Sequence, residues 1–172
     1  MLNPKIEEAF NKQINAEMFS GYLYLSMSAY FESSNLKGMA NWMRVQAQEE
    51  MSHAMRFYDF IHERGGSVTF TSLDGPKTKW DSPVSVFEDA LAHERKVTAM
   101  INGLVDLAIE EKDHAANAFL QWFVTEQMEE EATADEVLGK LRLAGEHGMG
   151  RFMMDAELGK RVFNLASAES EA

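Results

Sequence analysis

The residues with most chemistry to offer lie in the stretch VQAQEEMSHAMRF, residues 45–57. On a helix, positions three and four apart share a face. The apolar face here runs through Met39, Trp42, Met43, Phe57, Phe60 and Ile61, and midway it passes over Gln46, Glu50 and His53. A carboxylate and an imidazole at i and i+3 can grip one cation together. Three more carboxylates interrupt apolar stripes elsewhere. Glu17 falls within Phe10, Ile14, Gly21, Tyr24, Ser28 and Phe31. Glu94 falls within Phe87, Leu91, Thr98, Ile101 and Val105, and Glu130, with Gln127, within Ala116, Phe119, Leu120, Phe123, Ala134, Val137 and Leu141. An unpaired carboxylate in a core costs several kcal/mol or stays protonated. Four in one layer, with one histidine and few cations, call for added positive charge. A pair of divalent metal ions supplies it.

Ligand type narrows the metal. Carboxylate oxygens with one imidazole and no sulfur suit a hard to borderline ion, iron or manganese, over copper(I) or structural zinc. Glu50-x-x-His53 has the spacing used in two-metal carboxylate bundles. The last long helix departs from that scheme, reading Gln127-x-x-Glu130 within TEQMEEE. The second metal then has fewer strong ligands and looser binding. Any one of these glutamates alone reads as a partly exposed residue at a stripe edge. The set of four carries the metal reading.

The elements that must position them follow from caps and breakers. Asn3 and Pro4 open a first helix that runs to about Glu32 and breaks at Ser33-Ser34-Asn35. A second runs from about Leu36 to Arg64 and stops at Gly65-Gly66. Asp81 or Ser82 caps a third, with Pro83 in its first turn, running to about Glu111. Asp113 caps a fourth that reaches about Ala144, and Gly145, Gly148 and Gly150 interrupt the pattern after it. The four glutamates lie about 11 to 16 residues into their helices, so near one level at ~1.5 Å per residue. The middle connection, about 16 residues, spans at most roughly 50–58 Å. The second helix is about 44 Å long. The connection can therefore cross the bundle and let helices two and three run parallel, while short loops make each flanking pair an antiparallel hairpin.

Composition agrees. A chain of 172 residues with 45% hydrophobic residues and 3 prolines fits one domain with a sizeable core. A net charge of −12 argues against nucleic-acid binding and suits a protein that meets cations. The absence of cysteine excludes thiolate zinc sites, iron–sulfur clusters and disulfides. No stretch approaches the ~20 apolar residues of a membrane span. The start, MLNPKIEEAF, lacks a secretory pattern, so the expected location is cytoplasmic.

The sequence resembles the bacterial and archaeal non-haem ferritins over nearly its whole length. The likeness is carried by NKQINAEMFSGYLYLSM, NWMRVQAQEEMSHAMRFYDFIHERGG, WDSPVSVFEDALAHE and EEKDHAANAFLQWFVTEQMEEEA. It implies an all-α fold: a ferritin-like four-helix bundle with one long crossover between helices 2 and 3, plus a short C-terminal fifth helix. The domain would span 1–172, with the bundle over 4–144, the fifth helix over about 152–159 and a frayed tail over 164–172. It further implies a ferroxidase centre of two irons. Glu17, Glu50 and His53 hold the first, with Glu50 bridging. Glu94 and Glu130 hold the second, with Gln127 close by. Tyr24 sits beside the centre in that family as a redox or hydrogen-bonding residue; read from the residues alone, it is a core aromatic whose hydroxyl bonds a ligand carboxylate. Glu49, Glu126 and Glu129, sharing Glu130, match a third iron site; read alone, Glu129-Glu130-Glu131 is equally a solvated charge run. Iron(II), with O2 or H2O2 as oxidant, and other copies of the chain in a 24-subunit shell are the implied partners, with no nucleic acid and no membrane. Asp113, His114 and Asn117 are candidates to line a channel for incoming iron.

Two alternatives stay open at this level. Met51 stands where the haem-binding ferritins hold their haem, although the fourth helix lacks their second Glu-x-x-His, and no haem is expected. A purely structural bundle is the other, and it predicts no tight metal site.

Overall fold

The computed structural model of the chain describes residues 2–145 and 148–164. Five helices follow in order: α1 (Pro4–Ser33), α2 (Lys37–Glu63), α3 (Pro83–Glu110), α4 (His114–Ala144) and α5 (Gly148–Leu158). The expected caps form. Asn3 accepts from the Lys5 amide at 2.9 Å, and Asp113 accepts from the Ala116 amide at 3.0 Å. Of the two candidates for α3, Ser82 is the cap, exchanging hydrogen bonds with Ser85 in a capping box. α2 has no side-chain cap of its own. Asp155, on α5, supplies one instead, its Oδ1 accepting from the Met39 amide at 2.9 Å.

α1 and α2 form one antiparallel hairpin and α3 and α4 the other. Met39 and Val86, near the starts of α2 and α3, share one apolar cluster. Ile61 and Ala108, near their ends, share a second. The two helices therefore run parallel, as the long connection requires. That connection, 64–82, is laid along α1. Thr69 N donates to Asn11 Oδ1 at 2.7 Å, Asn15 Nδ2 to Thr71 Oγ1 at 2.6 Å and Ser26 Oγ to the Lys77 carbonyl at 2.7 Å. Trp80 then anchors its far end, Nε1 donating to Asp89 Oδ2 at 2.7 Å.

The core is in two parts. One end holds Phe31, Met39, Trp42, Met43 and Phe87. The other holds Phe10, Phe57, Phe123 and Ile101, with the Phe57 and Phe123 ring centres 4.3 Å apart. Between them lies a buried polar layer with all four stripe glutamates. On α3 the expected stripe is turned slightly: Thr98 and Val105 are half-buried, and Val97 and Leu104 take the core positions.

One expectation needs correction. The fifth helix begins at Gly148, not near Phe152. Gly148 and Gly150 lie inside it, and Gly145 alone of the three has a left-handed φ, 65°. Gly150 is there for close approach: a Cβ at that position would lie 2.4 Å from the Ala144 carbonyl oxygen. Asp113, a candidate channel residue, is half-buried and already has partners within the chain. Besides capping α4, it takes a two-pronged ion pair from Arg64, both bonds 3.0 Å. Apart from Asn164, the tail expected to fray lies outside the described residues. No helix among the described residues is long and apolar enough to cross a membrane.

Candidate metal centre

Each long helix contributes to the polar layer: α1 Gln13, Glu17 and Tyr24; α2 Gln46, Glu50 and His53; α3 Glu94; α4 Gln127 and Glu130. Glu17, Glu50 and Glu94 are 1% exposed, His53 2% and Glu130 8%, so water cannot carry their charge. The sequence places them at one depth; the fold brings them into contact. One ligand atom each from Glu17, Glu50 and His53 lies within 4.8 Å of the other two. The same holds for Glu50, Glu94 and Glu130. Glu50 belongs to both triads, which is the geometry of a bridging carboxylate between two cations.

Some oxygens in the layer are already held. Gln13 Nε2 donates to Glu17 Oε1 at 2.8 Å. Gln46 Nε2 donates to Glu50 Oε1 at 2.9 Å and to Glu130 Oε1 at 2.7 Å, tying α2 to α4. Gln127 Nε2 donates to Glu94 Oε2 at 3.1 Å, and the Tyr24 hydroxyl donates to Glu94 Oε1. As placed, both Gln127 and Tyr24 orient Glu94. Other atoms are left over. Glu17 Oε2, Glu130 Oε2 and His53 Nδ1 are buried without a hydrogen-bond partner. His53 Nδ1 lies 3.6 Å from Glu50 Oε2, a charge contact too long for a hydrogen bond. Orphaned buried polar atoms are rare because each costs a desolvation penalty. Three on ligand-type residues of one layer fit hard or borderline cations.

Electrostatics support the same conclusion. Burial, then the charge of Glu50, raises Glu17 from 4.5 to about 8 and Glu94 to about 7. The same two causes push Glu130 well up. Burial works against a charged His53, but Glu50, with Glu17 and Glu126, outweighs it and lifts the imidazole from 6.5 to about 9. Burial also opposes ionisation of Glu50, yet His53 and Gln46 hold its carboxyl below the ordinary range. Near pH 7 the metal-free layer is thus a Glu50–His53 ion pair among carboxyls that mostly keep their protons.

A stability prediction follows. A group whose pKa rises on folding stabilises fully below its unfolded value, and that contribution is lost as pH climbs through the folded one. Glu17, Glu94 and His53 all have this sign. Calorimetry of metal-free protein is expected to show a melting temperature that falls from about pH 5 to 9, most steeply between about 6.5 and 7, where all three groups hold more protons folded than unfolded. Zinc(II) should flatten the curve by replacing the protons. A melting temperature that rises over that range contradicts this account.

The residues matched to a third site are more dispersed. Glu126 is half-buried, and with His53 and Glu130 it forms a further triad within 4.8 Å. Its Oε1 lies 3.9 Å from His53 Nε2. Glu49 and Glu129 join no such triad among the described residues. They border a cavity of about 160 Å3 beside His53 and Glu126, Glu129 being exposed and Glu49 ion-paired with Arg161. Met51 is 45% exposed on α2.

Of the residues that hold the ligands, sequence reasoning named Gln127 and Tyr24, missed Gln13 and gave Gln46 no role. Gln13 and Gln46 each lie four positions before a stripe glutamate, the spacing that lets their amides reach it. That signal was legible. His93, stacked edge-on to Tyr24 at 6.2 Å and hydrogen-bonded to Ser20 Oγ at 2.8 Å, was not singled out. Arg161, 112 positions from Glu49, gave no local sign at all.

Fold and site together define a class: a crossed four-helix bundle with a buried layer of carboxylates and one histidine able to hold two cations. Comparison with known proteins gives the family. The model for the Ferritin-like domain matches residues 7–144, and the chain belongs to the ferritin family. It is 47% identical to a bacterial non-heme ferritin of Bacteroides fragilis, over 94% of this chain and 100% of that one. It is 37% identical to one from Staphylococcus saprophyticus, over 95% and 98%. Among solved structures it matches an open pore ferritin from Archaeoglobus fulgidus with a TM-score of 0.93 and 51% identity, covering 94% of this chain and 100% of that one. A closed form of that ferritin, made by site-directed mutagenesis, matches at 0.94 and 51%, covering 95% and 100%.

Proposed function

We propose that this chain is an iron-storage ferroxidase. It takes up iron(II), oxidises it at the layer between the four helices, and passes iron(III) to a ferric oxyhydroxide mineral inside a shell of 24 copies. The observation that carries the reading is the sharing of Glu50 between two buried triads, with three ligand-type atoms of the same layer left unpartnered. Family membership and the non-heme ferritin relatives support storage as the purpose. The expected setting is the cytoplasm.

In this reading Glu17 and His53 bind one iron, Glu94 and Glu130 the other, and Glu50 both. Each iron(II) supplies one electron. The pair therefore delivers two to one dioxygen, which takes up two protons and leaves as hydrogen peroxide; hydrogen peroxide as oxidant leaves as two waters. Gln13, Gln46, Gln127 and Tyr24 keep the carboxylates aimed, so little reorganisation accompanies binding. Loading displaces the protons held on Glu17, Glu130 and His53, so uptake weakens as pH falls. Glu126, Glu129 and Glu49 form an outer subsite for a third iron on its way out.

The test is direct. Metal-free protein mixed with two iron(II) per chain in air should oxidise them in a fast phase absent from buffer. Size exclusion of the same sample should show one species far larger than a dimer. Oxidation no faster than in buffer sinks the ferroxidase reading, and a stable monomer or dimer sinks the shell.

A further inference from the structure

The segment after α5 carries a cation of its own to the outer wall of the centre. Residues 159–164 lie against α2, where Asn41 Nδ2 donates to the Arg161 carbonyl at 2.9 Å and to the Gly159 carbonyl at 3.4 Å. The Arg161 guanidinium lies over Trp42, 4.3 Å from the ring centre. Its Nη2 is ion-paired with Glu49 Oε2. The two side chains are 23% and 26% exposed, so the pair is largely shielded. Arg161 Nη1 is buried and makes no hydrogen bond. Phe163 and Asn164 then form one wall of the cavity of about 160 Å3 that Glu49, His53, Glu126 and Glu129 also line.

We propose that Arg161 is a resident counter-cation for the outer subsite, and that residues 159–164 are a latch which a third metal ion must displace. This rests on the reading of Glu49, Glu126 and Glu129 as that subsite. While Glu49 holds the guanidinium, one of its oxygens is unavailable as a ligand, and the positive charge repels an arriving cation. A guanidinium does not lose its proton, so it cannot be switched off by pH and leaves only by moving. The contacts that must break are the ion pair, the cation–π contact with Trp42 and the two hydrogen bonds from Asn41. The orphaned Nη1 is the weak point, because release gives it water. The inner carboxylates stand apart from this, since Glu17, Glu50, Glu94 and Glu130 have no contact with the segment in the hydrogen-bond and ion-pair networks described above; His53 alone of the inner ligands borders the shared cavity. The device therefore ranks the sites: two cations fill the inner layer first, and the third binds only with the latch open. Its apparent affinity is lowered by the fraction of chains in which the latch is open.

Zinc(II), which cannot be oxidised, separates the steps. Wild type, Arg161→Gln and Arg161→Lys are titrated as assembled protein by calorimetry, with hydrogen exchange read at residues 159–164. Two equivalents bound alike in all three report an intact inner layer and an intact fold. The third equivalent is expected to bind at least about 10-fold tighter in Arg161→Gln, since the closed fraction no longer competes. Arg161→Lys, which keeps the charge but loses the guanidinium over Trp42, should fall between. In wild type, exchange at 159–164 should rise only with the third equivalent. A third equivalent of equal or weaker affinity in Arg161→Gln, or one that leaves 159–164 protected in wild type, overturns the latch while leaving the outer subsite standing. No third equivalent in any variant removes the subsite and the latch together.

Discussion

Replacing Glu50 with alanine is expected to slow the initial oxidation of iron(II) by at least about 100-fold, the upper end of what losing even a supporting partner costs a metal site. Glu50 is the one residue in both inner triads. Its loss breaks the bridge and weakens both cation positions, whereas Glu17→Ala or Glu94→Ala weakens one. It also strips His53 of its closest counter-charge, 3.6 Å away. The imidazole then stays neutral more readily, so His53 itself survives as a ligand. Folding should not suffer. The layer holds more carboxyls than cations, and removing one negative charge relieves Glu17, Glu94 and Glu130, each raised in part by Glu50. Stopped-flow oxidation at two iron(II) per chain, with a melting curve of the metal-free variant beside it, checks both halves. A rate within about threefold of wild type would show that the shared position is not a bridge.

The second large effect lies far from the chemistry. Gly38→Ala is expected to detach α5. A Cβ on Gly38 would lie 1.7 Å from the Asp155 carbonyl oxygen and 3.0 Å from the Gly159 amide nitrogen. Overpacking costs ~1–3 kcal/mol when neighbours can yield. Here the obstacle is helix backbone, which cannot rotate aside, so one helix must move. α2 is held along its whole length by α1. α5 buries only Met154 and Leu158, worth at most roughly 1.5–3 kcal/mol each. α5 is therefore the element that gives way. With it goes the Asp155 cap on the Met39 amide, a further ~1 kcal/mol. Limited proteolysis should cut between α4 and the end of α5 at least about 10-fold faster, a change of ~1.4 kcal/mol in the opening equilibrium. The fast iron phase should persist, because the inner layer does not touch α5. Unchanged protection of α5 would mean that this contact does not hold it.

Much of this was legible in the sequence, and the reason is periodicity. Glu17, Glu50, Glu94 and Glu130 stand out because each interrupts a stripe that apolar residues otherwise define, and caps such as Asn3, Ser82 and Asp113 fix how far each lies along its helix. The crossover followed from reach alone. What could not be read involves residues with no periodic context. Arg161 finds Glu49 across 112 positions, and Asp155 finds the amide of Met39 across 116. Such partnerships exist only once the helices are packed. The start of α5 was misjudged because glycine usually stops a helix, while Gly150 serves the approach to Ala144. The small turn on α3, with Val97 and Leu104 inward in place of Thr98 and Val105, appears only once α3 is packed against α4 and α1.

The division of the core has a mechanical side. Two oil-rich compartments, one around Phe31, Trp42 and Phe87 and one around Phe10, Phe57 and Phe123, are joined by four helical spines and a waist of charged groups. Without metal the waist is held by glutamine amides, the Tyr24 hydroxyl and the Glu50–His53 charge contact. On the proposed function, iron bound across it would tie all four spines together. The rigidity of each chain would then follow its freight: stiff while loading, freer to breathe at the waist once the iron has moved on.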